Sequence, residues 1–328
     1  MEQLFHFGDQ FLNVYTSQGK RNGKIYILLH GLFGTYQSGF SMLIPDLEKR
    51  GNTVIALDML GHGKSSTLEK VTTDDLVNTA LLFVRQEKLI NKTAEIIVVG
   101  HSLGSIVGQK LAYLMEQDGY IVKHMVIIGG FYLVPDRIRR MLFQVSTTAA
   151  GIASEDLLKK FQETALYKSF VKMFWFYPEK SDEHFDEAYA AFNHANIEQI
   201  RSCRELFRSE EVISIPTDEI NFRVINIRGD HDALSHQSDF LNIARHYGEK
   251  ATSMLLPDCG HATLLEKPDA IRNVLAFFEH SPLQQRKSTG KPFMKKFLFA
   301  IKKKLHLSAF VFKQKTTPYK KKIFWTPT

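Results

Sequence analysis

The sequence has little of what disulfide-stapled, zinc-clustered or membrane-spanning proteins need. Its 328 residues include only two cysteines, Cys203 and Cys259, which are too few for a disulfide framework or a cysteine-rich zinc site. No apolar run approaches the roughly 18–20 residues of a membrane-spanning helix. The first residues lack the basic segment followed by an apolar core that marks a signal peptide. We therefore expect a cytoplasmic protein in a reducing compartment.

Acidic residues are missing from one part of the chain. Residues 281–328 hold thirteen Lys or Arg and no Asp or Glu, whereas the preceding 280 residues hold 29 basic and 35 acidic residues. The net charge of +7 therefore combines an acidic body of −6 with a basic tail of +13. With 44% hydrophobic and 23% charged residues, the composition excludes a disordered or collagen-like chain.

Short apolar runs rich in Val and Ile alternate with amphipathic helical patterns. Six runs lack polar alternation, as strands buried on both faces do: residues 25–29, 53–57, 96–99, 125–128, 222–227 and 253–256. One helical pattern starts after a cap at Thr72 or Thr73. The alternation predicts an α/β fold, a mostly parallel sheet with helices on both faces. Residues 4–7 and 11–15 predict an antiparallel hairpin at one edge.

The alternation is interrupted between Ile128 and Phe222. Residues 156–167 and 183–192 predict helices in this stretch, which also contains the aromatic residues Phe170, Phe174, Trp175, Phe176 and Tyr177. We interpret residues 135–200 as a mobile helical cap above one end of the sheet. Residues 1–134 and 201–280 then form the core, and residues 281–328 form a separate tail.

The sharpest chemical signal is Gly100-His101-Ser102-Leu103-Gly104, between a predicted strand and a predicted helix. This pattern is typical of a nucleophile elbow, a turn so tight that the positions two before and two after the serine need glycine. It holds the Ser102 hydroxyl above the sheet edge, and the Leu103 N–H can stabilise an oxyanion at the helix N-terminus. G-x-S-x-G alone is common, so the strand and helix around it carry the argument.

Three further loops follow predicted strands. His30-Gly31-Leu32-Phe33-Gly34 can bring the Leu32 N–H to the nucleophile as a second oxyanion donor. The other two, at residues 228–232 and 258–261, place carboxylates and an imidazole at strand C-terminal ends, where open α/β sheets build their sites. A serine hydroxyl needs a histidine to take its proton and a carboxylate to orient that histidine. The chain order Ser, Asp, His fits an elbow-bearing hydrolase.

With these motifs, residues 20–280 resemble the α/β-hydrolase superfamily, in its cap-bearing, serine esterase or lipase-like branch. The turn Asp58-x-x-Gly61-His62-Gly63-x-Ser65 is also common there. The resemblance implies Ser102 as nucleophile and His261, within GHATLLEKP, as general base. It implies the N–H groups of Leu32 and Leu103 as oxyanion donors. The family places its acid three residues after the strand-end glycine, which here is Asp232, and Asp230 remains the competitor.

Several histidines and one carboxylate need no catalytic or metal-binding interpretation. His101 fits a scaffolding role in the elbow, and His62 and Asp58 fit bracing of their loop. His184 and His194 have no carboxylate or cysteine at a metal-ligand spacing. Neither a GxGxxG nor a Walker loop is present. We therefore predict no metal and no cofactor.

A serine at the elbow favours acyl chemistry. The haloalkane dehalogenases and soluble epoxide hydrolases of the superfamily that this sequence resembles have Asp at that position instead. We expect a hydrolase that cleaves a small-molecule carboxylic ester through an acyl-enzyme. The aromatic residues suggest a lipophilic acyl or aromatic group, or they simply pack the cap onto the core. The alternatives are carbon–carbon bond hydrolysis, acyl transfer on the same triad, and a non-catalytic binding protein.

The tail has the pattern of a basic amphipathic helix. Between residues 293 and 312, apolar side chains recur at spacings of one, three and four, and lysines lie mainly on the other side. Such helices lie in a lipid interface. We expect peripheral binding to an anionic membrane surface, with nucleic acid the less favoured partner because the tail interleaves Phe and Leu among its lysines. A solvated, disordered tail is the alternative.

Overall fold

The computed structural model describes residues 1–20, 23–131, 153–179, 196–203 and 215–279, together with residues 185, 186, 188, 189 and 206. Its strands are β1 (Glu2–Phe7), β2 (Gln10–Ser17), β3 (Ile25–Leu29), β4 (Thr53–Leu57), β5 (Glu95–His101), β6 (Ile121–Ile128), β7 (Arg223–Gly229) and β8 (Ala251–Leu256). They form one sheet in the order β1-β2-β4-β3-β5-β6-β7-β8. β1 and β2 pair antiparallel, β2 pairs antiparallel with β4, and all other pairs are parallel. The predicted α/β architecture with an edge hairpin is confirmed.

Helices cover both faces of this sheet. They are α1 (Tyr36–Phe40), α2 (Ile44–Lys49), α3 (Thr73–Gln86), α4 (Leu103–Gln117), α5 (Glu155–Gln162), α6 (Ala165–Trp175), α7 (Ile197–Ser202), α8 (Gln237–Tyr247), α9 (Thr263–Glu266) and α10 (Pro268–Glu279). One face packs on α3, α4 and α8. The other packs on α1, α2 and α10.

Strand β3 shows why the buried runs lack polar alternation. Ile25, Ile27 and Leu29 point into the core under α3 and α4, while Tyr26 and Leu28 point into the core under α1, α2 and α10. Every residue of this strand is buried, so neither face leaves room for a polar residue. The six apolar runs predicted from the sequence lie in strands β3 to β8, apart from Phe222, which directly precedes β7.

The cap of α3 resolves the choice between Thr72 and Thr73. Thr72 is the N-cap: its hydroxyl accepts from the Asp75 N–H, and the Asp75 carboxylate accepts from the Thr72 N–H. This reciprocal pair is a capping box, which satisfies two amides that the helix leaves unpaired.

The insertion differs from its predicted form in one respect. Residues 156–167 were expected in a single helix, but α5 ends at Gln162 and α6 begins at Ala165. Thr164 causes the break, because its hydroxyl accepts the N–H of Tyr167 and caps a new helix. The predicted helix over residues 183–192 lies largely outside the described residues, as does the whole of tail 281–328. The domain boundaries stay predictions.

Within the described ranges, no helix is long and apolar enough to cross a membrane.

Candidate active site

Ser102 lies on a strained turn between β5 and α4. Its backbone has φ 51° and ψ −117°, a region that few non-glycine residues adopt. A Cβ at Gly100 would lie 2.2 Å from the carbonyl oxygen of Gly104, and a Cβ at Gly104 would lie 2.1 Å from that of Leu29. Both positions therefore have to be glycine for the turn to close. The turn leaves Ser102 9% exposed at the carboxyl end of the sheet.

The loop after β3 lies against this turn. A Cβ at Gly31 would lie 3.2 Å from Cβ of Ser102, so the peptide between Gly31 and Leu32 lies beside the serine. The Gly34 N–H donates to the Gly31 carbonyl at 3.0 Å and closes the loop. Leu103 is the first residue of α4, where a helix leaves its amides unpaired. Leu32 and Leu103 thus flank Ser102, and their role as oxyanion donors stays a prediction.

His261 and Asp232 meet at the ends of β8 and β7. Nδ1 of His261 donates to Oδ2 of Asp232 at 2.9 Å, and the two side chains are 2% and 0% exposed. Oδ1 of Asp232 accepts the amides of Leu234 and Ser235 at 2.9 and 2.8 Å. Burial acts to raise the pKa of Asp232, but His261 and the Ser235 amide outweigh it and hold that pKa below its ordinary value. The carboxylate is therefore charged at neutral pH.

Asp230, the competing acid, points elsewhere. Its carboxylate accepts from Nδ1 of His231 at 2.7 Å and from the Cys259 N–H at 3.2 Å. His231 is largely exposed, with 47% of its side chain accessible. Of the two aspartates, the structure brings Asp232 to His261.

Gly129 connects this pair to the serine, and sequence reasoning missed it. The Ser102 N–H donates to the Ile128 carbonyl at 2.9 Å. The next residue is Gly129, with φ +53°, where a Cβ would lie 3.1 Å from Nδ1 of His261 and 3.2 Å from Oδ2 of Asp232. A side chain here would crowd the pair, and the positive φ would strain its backbone. The signal available in the sequence was the Gly129-Gly130 pair directly after an apolar run.

His101 holds the loop that carries His261 through its side chain. Nε2 of His101 lies 2.9 Å from the carbonyl oxygen of His261, and the two rings are 5.0 Å apart. Burial lowers the pKa of His101 to about 4, so the ring is neutral and donates its single proton to that carbonyl. This contact fits the scaffolding role expected for His101.

Asp58 and His30 brace the loops under the site. The carboxylate of Asp58 accepts the amides of Tyr36 and Lys64 at 2.8 and 3.0 Å, and the side-chain amide of Asn13 at 2.9 Å. Nε2 of His30 accepts the Met59 N–H at 3.0 Å. Burial lowers the pKa of His30 to about 4, which keeps this acceptor unprotonated. Neither side chain is aimed at Ser102.

His62 is also a buried structural residue. Its Nε2 lies 3.6 Å from the Cys203 thiol, and burial lowers the pKa of the ring to about 3. The ring is therefore neutral, as a loop-bracing residue would be. Among the side chains that the structure describes, no group of three or more His, Cys, Asp and Glu is placed to hold a metal ion.

Part of the aromatic cluster packs the insertion onto the core. Phe176 is 1% exposed and lies in one apolar cluster with Ala262, next to His261. The Tyr177 ring lies 4.7 Å from that of His231. Phe170 differs, because 45% of it is exposed. For Phe176 and Tyr177, the packing interpretation is the one that the contacts favour.

Comparison with known proteins agrees with this geometry. The alpha/beta hydrolase family pattern matches residues 26–274. A sequence relative, the sn-1-specific diacylglycerol lipase ABHD11 of Danio rerio, is 21% identical over 277 residues, 80% of each chain. Protein phosphatase methylesterase 1 of Candida albicans is 27% identical over 114 residues, 35% of this chain. The match spans 31% of that methylesterase, and about as little of its fungal counterparts.

Solved structures show the same fold. The esterase EaEST of Exiguobacterium antarcticum superposes with a TM-score of 0.68 at 14% identity, covering 86% of this chain and 100% of that one. At this identity the likeness speaks for the fold alone. Since the family pattern spans three quarters of the sequence, the chain belongs to the alpha/beta hydrolase family.

Proposed function

We propose that this protein is a serine hydrolase that cleaves carboxylic esters through an acyl-enzyme on Ser102, His261 and Asp232. The observation that carries the proposal is the buried hydrogen bond between His261 and Asp232, next to a serine on a strained elbow. A buried carboxylate costs stability unless its oxygens are satisfied, and here two backbone amides bind Oδ1 of Asp232 while Nδ1 of His261 binds Oδ2. Such a pair is what a serine needs in order to lose its proton.

The first step follows from the tautomer that Asp232 selects. Nδ1 of His261 carries the proton of the hydrogen bond to Asp232. Nε2 of the neutral ring is therefore unprotonated, and its lone pair can accept the proton of Ser102. Ser102 Oγ forms a bond to the ester carbonyl carbon as its proton passes to Nε2. The carbonyl π electrons move onto oxygen, and the Leu32 and Leu103 N–H groups stabilise that oxyanion. Leu103 gains from the dipole of α4, which is 15 residues long.

The remaining steps complete the formation of the acyl-enzyme and then hydrolyse it. The tetrahedral intermediate collapses, the ester C–O bond breaks, and the leaving alkoxide takes the proton from Nε2 of His261. Water then loses a proton to the same nitrogen and attacks the acyl-enzyme. The bond between the acyl carbon and Ser102 Oγ then breaks, the acid leaves, and Ser102 Oγ takes the proton back from Nε2 of His261.

The substrate class rests on the relatives as well as on the site. Those named above include a lipase, a methylesterase and an esterase, all of which by name act on esters. We propose a small ester with a lipophilic acyl or aromatic group. Carbon–carbon bond hydrolysis and acyl transfer use the same residues, and they are separated from ester hydrolysis by the assay below.

The membrane role of tail 281–328 is a second proposal, supported by its sequence pattern. The described chain ends where the Lys123 and His124 side chains contact the carbonyls of Glu279 and Phe278. Ile128, whose carbonyl binds Ser102, is four residues further along β6, roughly 13 Å at 3.3 Å per residue. The described chain therefore ends near the amino ends of the strands, at the other end of β6 from Ser102.

The first prediction is that purified protein hydrolyses p-nitrophenyl esters and that Ser102→Ala abolishes this activity without changing the circular dichroism. The serine hydroxyl is the only group removed. Ser253→Ala, at a buried serine of β8, is the matched control and should keep its activity. Full activity in Ser102→Ala would contradict the proposal. If Ser102 reacts with a fluorophosphonate but the protein hydrolyses no ester, the carbon–carbon or acyl-transfer alternative is favoured.

The second prediction separates the two aspartates. Asp232→Asn should lower kcat on the order of 10⁴-fold, because the amide no longer selects the productive His261 tautomer. Asp230→Asn should stay within about threefold of the parent, since its partners are His231 and a Cys259 amide. Steady-state kinetics on one ester check both. The opposite ranking would assign the acid to Asp230.

The third prediction concerns the tail. Full-length protein should co-sediment with anionic vesicles, and a version ending at residue 282 should not. Phe297→Ser with Leu298→Ser keeps every lysine and should weaken binding, since the apolar face inserts at the interface. Equal sedimentation of all three forms would exclude membrane binding by the tail. Binding of RNA in preference to vesicles would identify nucleic acid as its partner.

A further inference from the structure

The backbone around His261 is held at three consecutive residues. The Gly260 N–H donates to Oε2 of Glu266 at 2.7 Å. The His261 carbonyl accepts from His101 at 2.9 Å. The Ala262 N–H donates to the carbonyl of Trp175, the last residue of α6, at 2.6 Å. Two of these partners belong to the core, and the third belongs to the insertion.

Glu266 joins the insertion to the same loop a second time. Its other oxygen, Oε1, accepts the N–H of Tyr177 at 2.8 Å. The residue is only 8% exposed, and it spans two amides that are 83 residues apart in sequence, Tyr177 and Gly260. Glu266 lies at the end of α9, five residues after His261 in the GHATLLEKP segment.

A carboxylate suits this position because it only accepts hydrogen bonds. Each oxygen of Glu266 faces one backbone N–H, so both donors are satisfied without a water molecule between them. Bonds from an amide to a charged acceptor are stronger than neutral ones. If the segment from Trp175 to Tyr177 left its place, Glu266 and Ala262 would each lose a partner, and the loop that carries His261 would keep only its bonds to Glu266 and His101.

From these contacts we propose that Glu266 is a positioning residue, which couples the docking of the insertion on the core to the position of His261. The inference rests on the proposed function, because it assigns His261 as the base. It also limits a moving lid, because an opening that leaves these bonds intact cannot displace Trp175 or Tyr177. Hydrolysis then requires the end of α6 to be docked against Ala262, since only then are all three hydrogen bonds of the His261 loop formed.

The test uses two substitutions in the full-length protein. Glu266→Gln keeps the size but replaces one acceptor by an NH₂ group, which faces an N–H and cannot accept from it. Glu266→Asp keeps the charge but is one methylene too short to reach both amides. In both, kcat for p-nitrophenyl acetate should fall about 10- to 100-fold, the cost of a displaced base. KM should stay within about twofold, because neither variant removes a group that binds the small acyl chain.

Glu279→Gln is the matched control. Glu279 is a glutamate of similar burial, 6% exposed, which accepts from Arg50 at 2.7 Å and from the Tyr26 hydroxyl at 3.2 Å near the amino ends of the strands. Its loss should lower the melting temperature and leave kcat within about twofold. A loss of stability alone would affect the Glu266 and Glu279 variants alike, so the difference in kcat isolates the coupling.

The outcomes are distinct. A kcat loss in both Glu266 variants with unchanged KM, and none in Glu279→Gln, supports the proposal. Parental kcat in a folded Glu266→Gln or Glu266→Asp overturns it, as does an equal kcat loss in Glu279→Gln. Should Glu266→Gln not fold, Glu266→Asp decides by the same measure. If the proposed function itself is wrong, the parent protein has no esterase activity that Ser102→Ala removes, which is a different result from parental kcat in the variants.

Discussion

The hydrogen bond between His261 and Asp232 is buried almost completely, and much of the surrounding structure satisfies it. Removing a carboxylate from water costs several kcal/mol unless its oxygens are paired. Asp232 meets this demand with two backbone amides on one oxygen and the imidazole on the other. Arg228 fixes that loop by donating to the carbonyls of Asp232 and Ser235. The order β6-β7-β8 brings Gly129, Asp232 and His261 to adjacent strand ends.

The insertion is bonded to the loop that carries the proposed base, His261. Trp175 and Tyr177 bond directly to the loop that carries His261 and to Glu266, while Phe176 packs in the same apolar cluster as Ala262. An active site assembled in this way depends on two parts of the chain that the sequence places far apart.

Much of this arrangement could be predicted from local sequence. Apolar runs without alternation mark strands buried on both faces, and the glycines of residues 100–104 mark the elbow because a side chain there has nowhere to go. What could not be predicted depends on approach in three dimensions. Thr164 divides one expected helix through a cap that competes with helix continuation. The contacts of Glu266 and His101 with the His261 loop join segments that local patterns treat separately. The family spacing favoured Asp232 over Asp230, but only the structure shows that Asp232 is the one bonded to His261.

The proposed mechanism depends on Ser102 acting as a nucleophile that His261 activates. The most direct measurement is incubation of the full-length protein with a fluorophosphonate, followed by proteolysis and mass mapping of the adduct, alongside His261→Ala. If His261 activates Ser102, a single adduct should form on Ser102 in the parent protein, and labelling should slow by orders of magnitude in His261→Ala. An adduct on another serine, or equal labelling of the parent and His261→Ala, would contradict it.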